Sequence, residues 1–116
     1  MKDAKAKAKN ELLPGTLEML ILKTLSITPM HGYGIAQPIQ MLSADVLTIE
    51  EGSLYPALQR MLVKGWVSAQ WKTSANNRRA RVYTLTTAGR KQLGVEQSRF
   101  SEMFGAIRRV MQMKTT

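Results

Sequence analysis

Apolar residues recur along this chain with two different periods, and the change of period marks where helices give way to strands. From Thr16 to Ile27, Leu17, Leu20, Ile21 and Leu25 fall at helical spacing, while Met19 and Leu22 extend the apolar surface beyond one face. That spread predicts a helix buried widely, against its own core and against a second subunit, and Thr28-Pro29 ends it. The run "HGYGIAQPIQML" predicts a second helix starting near Gly32–Gly34, with Ile35, Ile39 and Leu42 inward. Pro38 bends that helix and removes a backbone bond unless the helix starts late. In "EGSLYPALQRMLVKGW", Leu54, Leu58, Met61 and Leu62 form the stripe of a third helix. Pro56 suits that helix if it lies in or next to the first turn, and Gly65 is a natural stop.

After Gly65 the period shortens to two. "WVSAQW" (66–71) and "ARVYTLT" (80–86) alternate as strands, with Val67, Ala69 and Trp71 on one side of the first and Tyr83 and Leu85 on one side of the second. "KTSANNRR" between them is rich in turn formers, so the pair predicts a hairpin with a basic tip. Thr86 suits the N-cap of a last helix, along which Leu93, Phe100, Phe104, Ile107 and Met111 recur at roughly coiled-coil spacing. Three helices followed by a two-stranded hairpin predict a mainly α fold, a winged helix-turn-helix with a C-terminal dimerisation helix. The expected division is a flexible basic tail over 1–10, the winged-helix domain over 11–86, and the dimerisation helix over 87–116. Leu17 and Leu20 join Leu93, Phe100, Phe104, Ile107 and Met111 as the expected dimer interface.

Charge changes the picture more than length does. The chain has 116 residues, enough for one core, and its 44% hydrophobic and 22% charged content is ordinary. Its 17 Lys and Arg against 8 Asp and Glu give a net charge of +9, which favours polyanions. The absence of cysteine excludes disulfides and thiolate zinc sites. Although "MKDAKAKAKN" has the basic character of a signal-peptide start, Glu11, Pro14, Glu18 and Lys23 interrupt the apolar run behind it. The expectation is a soluble cytoplasmic protein with no membrane partner.

The polar side of the third helix then acquires a purpose. Turning about 100° per residue away from Leu58 gathers Ser53, Pro56, Arg60, Val63 and Lys64, with Tyr55 and Gln59 at the flanks. In a helix-turn-helix this second helix of the pair enters the major groove. Arg60 has the fork to read guanine, Gln59 the amide to read adenine, and Ser53 a hydroxyl for base or phosphate. Between Arg60 and Arg81 lie six basic residues, Arg60, Lys64, Lys72, Arg78, Arg79 and Arg81, and no acidic one. A solvated polar face alone would not require that absence, whereas a phosphate-facing surface does.

The stretches "GTLEMLILKTL", "HGYGIA", "EEGSLYPALQRM", "KGWVSAQW" and "NNRRARVYTLTTAGRKQL" resemble, in this order and spacing, the PadR-like family of bacterial transcriptional regulators. The resemblance runs from about Leu12 to about Val110 and is nearest to the short members with a single C-terminal helix. It implies a homodimeric repressor reading a two-fold symmetric operator, with the third helix in the major groove and the wing on flanking DNA. By position, Ser53, Tyr55 and Pro56 match the family's helix-three motif, in which the tyrosine approaches a phosphate. Arg78, Arg79 and Arg81 match its basic wing, and His31, Gly32 and Tyr33 match the start of its helix two. Some small members hold flat aromatic drugs between tryptophans of the paired last helices. Here Trp66 and Trp71 lie in the wing region and the last helix carries phenylalanines, so an effector is left unassigned.

Other functions fare worse. His31 is the only histidine, and neither a nucleophilic triad nor a metal-ligand spacing can be assembled around it, so no enzyme, metal or cofactor is expected. Glu50 and Glu51 sit at a helix start, where they favour the helix dipole. The alternative to a regulator is a non-specific binder of polyanions or acidic membrane surfaces, which the Lys-Ala tail could serve.

Overall fold

A computed structural model describes residues 15–73 and 75–115, so the expected tail at 1–10 lies outside the described residues. The chain forms α1 (Thr16–Ile27), β1 (Met30–His31), a 3-10 turn (Gly32–Gly34), α2 (Ala36–Leu42), α3 (Glu51–Val63), β2 (Val67–Thr73), β3 (Arg79–Leu85) and α4 (Thr87–Met111). The three strands make one antiparallel sheet in the order β1-β3-β2. This is the element order of a winged helix, with one strand more than the alternation predicts. Two residues are too few to show a period, so β1 becomes visible only through its pairing, Met30 with Tyr83 and His31 with Val82.

One apolar cluster joins all these elements. Ile21 and Leu22 of α1, Ile35 before α2, Leu54 and Leu58 of α3 and Met61 are fully buried, and Val67, Tyr83, Leu85 and Leu93 close the cluster from the wing and α4. The departures from expectation lie at element ends. Leu42 is 88% exposed, because α2 ends there and only its first turns face the core. Pro38 falls in the first turn of α2, whose start at Ala36 leaves an amide there without an intrahelical partner, so no bend is required. Pro56, by contrast, sits inside α3 beyond its first turn, where its ring leaves the Gly52 carbonyl without the usual amide four residues on. Trp71 shares a side of β2 with Val67 but is exposed, since β2 outruns the core.

The wing is anchored at its base. Thr86 N–H donates to the Trp66 carbonyl (3.1 Å), and Thr86 Oγ1 donates to the Gly65 carbonyl (2.6 Å) while accepting from Gly89 N–H (3.0 Å). One threonine thus ties the end of α3 to the start of α4 and caps α4 as expected. Gly89 presses against that junction: a Cβ there would lie 2.0 Å from the Trp66 carbonyl oxygen and 2.6 Å from Leu85 Cδ1. Replacing Gly89 by Ala should therefore cost about 1–3 kcal/mol, read as a lower urea midpoint at unchanged slope. An unchanged midpoint would show that α4 and the wing base shift apart freely.

Candidate nucleic-acid interface

Leu54, Ala57, Leu58 and Met61 define the buried side of α3, so that side centres between Leu58 and Ala57 rather than on Leu58. At about 100° per residue, Pro56, Gln59 and Val63 then point most directly outward. Exposure agrees, Val63 being 79% exposed and Pro56 and Gln59 open to solvent. The polar row expected on one face is split between two flanks. Tyr55 and Gln59 lean toward the wing, whereas Arg60 and Lys64 lean toward α1. Ser53 is exposed in the first turn of α3.

The wing-side flank forms a cleft. About 830 Å3 of open space separates α3 and the 3-10 turn from the wing, lined by Tyr33, Tyr55, Gln59, Trp71, Arg79 and Arg81 among others. Arg79 and Arg81 stand over the Trp71 ring, with centroid distances of 5.0 and 5.7 Å, and Arg81 also reaches the Tyr83 ring at 5.7 Å. These contacts hold the cations against aromatic faces without neutralising them. Arg78 lines the same cleft, and Lys72 is exposed on β2 opposite Ala80. The last rung of the hairpin pairs Thr73 with Arg79, and in the turn beyond it Asn77 takes a left-handed conformation that suits asparagine. A concave wall of arginines facing a polar helix side suits a phosphodiester backbone.

Tyr55 and the second-helix motif meet at the cleft floor. A Cβ on Gly32 would lie 3.0 Å from Tyr55 Cε1 and 3.2 Å from Tyr83 Cε1, so the bare glycine lets both rings pack closely without displacement. His31 and Tyr33 stack beside it at 5.1 Å with their planes 10° apart. His31 Nδ1 and Arg81 Nε are buried without a hydrogen-bond partner among the described residues. Burial pushes the Tyr55 phenol above its ordinary pKa, helped by the nearby Glu51 charge and Tyr83. A phenol is protonated at neutral pH in any case, and this shift keeps its O–H available as a donor into more alkaline solution. Tyr33, at 66% exposure, lines the cleft, although the sequence places it only at the start of helix two.

On the other flank, Arg60 Nε donates to Glu18 Oε2 of α1 at 2.9 Å, and Lys64 Nζ lies 3.8 Å from Glu18 Oε1. Lys64 also stands 4.5 Å from the Trp66 ring centre. Glu18 was not legible as part of this surface, since it lies 42 residues from Arg60.

The expected dimer residues divide in the same way. Leu93 is 7% exposed and belongs to the subunit's own core, so it offers no seam surface, and Leu17 and Leu20 are half-buried against that core. Only Gly89 and Leu93 of α4 are buried. Beyond them Phe100, Met103, Phe104, Ile107, Val110 and Met111 are all exposed, with Phe100 and Phe104 stacked at 5.7 Å. At 3.6 residues per turn, roughly three turns of α4 carry this stripe past the core.

Comparison with known proteins matches the model of the transcriptional regulator PadR-like family to residues 21–95. A PadR-like transcriptional regulator from Bacillus cereus is similar in structure, with a TM-score of 0.75 at 24% identity, covering 90% of this chain and 100% of that one. A PadR-like transcription factor from Bacteroides fragilis superposes with a TM-score of 0.69 at 27% identity, covering 83% of this chain and 90% of that one. An uncharacterised 37.1 kDa protein in a transposon, from Streptomyces fradiae, is 34% identical over 90 residues, 78% of this chain. The chain spans only about a quarter, 24%, of that longer protein.

The cleft geometry makes Tyr55→Phe informative. Losing the hydroxyl while keeping the ring should leave the melting temperature in place and weaken every duplex alike by about 0.5–1.5 kcal/mol. Unchanged affinity in a filter-binding titration would remove Tyr55 from the contact surface.

Proposed function

The chain belongs to the PadR-like family of transcriptional regulators, and on that premise we propose that it acts as a cytoplasmic homodimeric repressor of a palindromic operator. The family is one of DNA-binding regulators and not of enzymes, so the general activity follows from membership. The mode of action is the part proposed. α3 enters the major groove, with Gln59 and Arg60 reaching base edges and Ser53, Tyr55 and Lys64 near the backbone. The wing, through Lys72, Arg78, Arg79 and Arg81, grips flanking phosphates. Residues 11–86 serve as the DNA-binding unit and 87–116 as the dimerisation helix.

One observation carries this reading: a polar face of α3 and an arginine-lined wing open onto the same 830 Å3 cleft. A non-specific polyanion binder needs the charge but not the facing pair of walls. No helix among the described residues is long and apolar enough to cross a membrane. The exposed Phe100–Met111 stripe supports a second copy as partner, because an apolar row of that length is costly to leave in water. Two copies joined there would present their α3 helices about one DNA turn apart, on the order of 34–36 Å.

The deciding experiment is a fluorescence-anisotropy titration with duplex from the protein's own upstream region and a scrambled duplex, over a range of salt. Much tighter binding to the native duplex at two subunits per site supports the repressor reading, while equal binding that collapses with salt favours the non-specific one. Arg60→Ala should cost about 1–3 kcal/mol on the operator and relax one base position. Lys72→Ala or Arg78→Ala should weaken all duplexes alike and flatten the salt dependence. Replacing Phe100 and Phe104 together by Glu should give monomers in sedimentation analysis with poor operator affinity. A dimer of unchanged strength would move the seam elsewhere.

A further inference from the structure

Six basic residues and no acidic one occupy the sequence from Arg60 to Arg81, yet the fold puts a carboxylate back among them. Glu18, in the first turn of α1, reaches across to α3 and meets two cations one helical turn apart, Arg60 at 2.9 Å and Lys64 at 3.8 Å. Its side chain is only 12% exposed, whereas those of Arg60 and Lys64 are 54% and 48% exposed. The anion is thus set into the protein while both cations remain at the surface.

This asymmetry has consequences for binding. A largely buried carboxylate is screened by salt less than an exposed one, so its partial neutralisation of the two cations persists at working ionic strength. Pulling both cations away onto a phosphate would strand Glu18 with little solvent to replace them. Arg60 is held through Nε alone, which leaves its two terminal nitrogens, the pair that forks onto a base edge, without a hydrogen-bond partner among the described residues. The arrangement therefore weakens attraction to phosphates along any DNA while keeping Arg60 aimed for a base.

We propose that Glu18 is a specificity-determining residue: its carboxylate holds Arg60 and Lys64 of α3, suppressing non-specific phosphate binding relative to operator binding. This rests on the DNA-binding reading, but its first test needs only a duplex of arbitrary sequence. Glu18→Gln keeps an oxygen to accept from Arg60 Nε and removes the charge. Scrambled-duplex affinity should rise roughly three- to tenfold at low salt, and the slope of log K against log salt should steepen by about 0.9, one added phosphate contact. Operator affinity should rise less, so the ratio of operator to scrambled binding falls.

Two controls keep the result specific. Glu102→Gln, an exposed acid on α4, changes net charge equally and should leave the slope as in the unsubstituted protein. In an Arg60→Ala/Lys64→Ala background, Glu18→Gln should change nothing, and thermal melts should show all variants folded. A Glu18→Gln slope equal to that of the unsubstituted protein would overturn the proposal. So would an equal effect from Glu102→Gln, or an effect that survives without Arg60 and Lys64. If the unsubstituted protein fails to prefer its operator, the repressor reading falls, while the scrambled-duplex slopes still judge Glu18.

Discussion

The structure depends on a junction of four backbone groups and one hydroxyl. Thr86 binds Gly65, Trp66 and Gly89 at once, where α3 ends, the wing begins and α4 starts. It adds to the anchorage that Val67, Tyr83 and Leu85 give the hairpin in the core and that β1 gives it by pairing with β3, and so helps to hold the cleft between hairpin and α3. Gly89 permits the approach, because any side chain there would meet the Trp66 carbonyl. The cleft's shape and α4's direction are thus set by the same contact.

From that frame follows a division of labour around α3. Its wing side is aromatic and arginine-rich, with cations propped on Trp71 and Tyr83 beside the Tyr55 hydroxyl. Its α1 side carries the opposite design, two cations tethered to a recessed carboxylate. Attraction is strongest where a phosphate backbone would run beside the wing and is reduced where indiscriminate contact would give no sequence information. The apolar stripe of α4 lies beyond the core, so a partner bound there need not disturb either flank.

Most of the fold was legible because period-bearing segments carry it: α1 begins and ends where the apolar spacing places it, and Thr86 caps α4 as its position before the helix implies. What escaped was non-local or too short to have a period. β1 is a pair of residues defined by its partners on β3, and Glu18 reaches its partners only through tertiary packing. Taking Leu58 as the buried centre ignored Ala57, whose small side chain is wholly buried and turns the core side toward α1. That rotation is what turns Arg60 and Lys64 toward α1 and Tyr55 and Gln59 toward the wing. Leu93 continues the stripe and so reads as seam in the sequence, but the stripe passes from core to surface along α4, and Leu93 lies at its buried end.

The central claim is that α3 and the wing act as one DNA-facing surface. The most direct test follows backbone amide shifts of the isotope-labelled protein as its upstream duplex is added. The account predicts that the largest changes cluster at Tyr33, Tyr55, Gln59, Trp71 and Arg79, around the cleft, with Phe100 to Met111 little affected. Changes concentrated on α4, with the cleft residues unmoved, would contradict it.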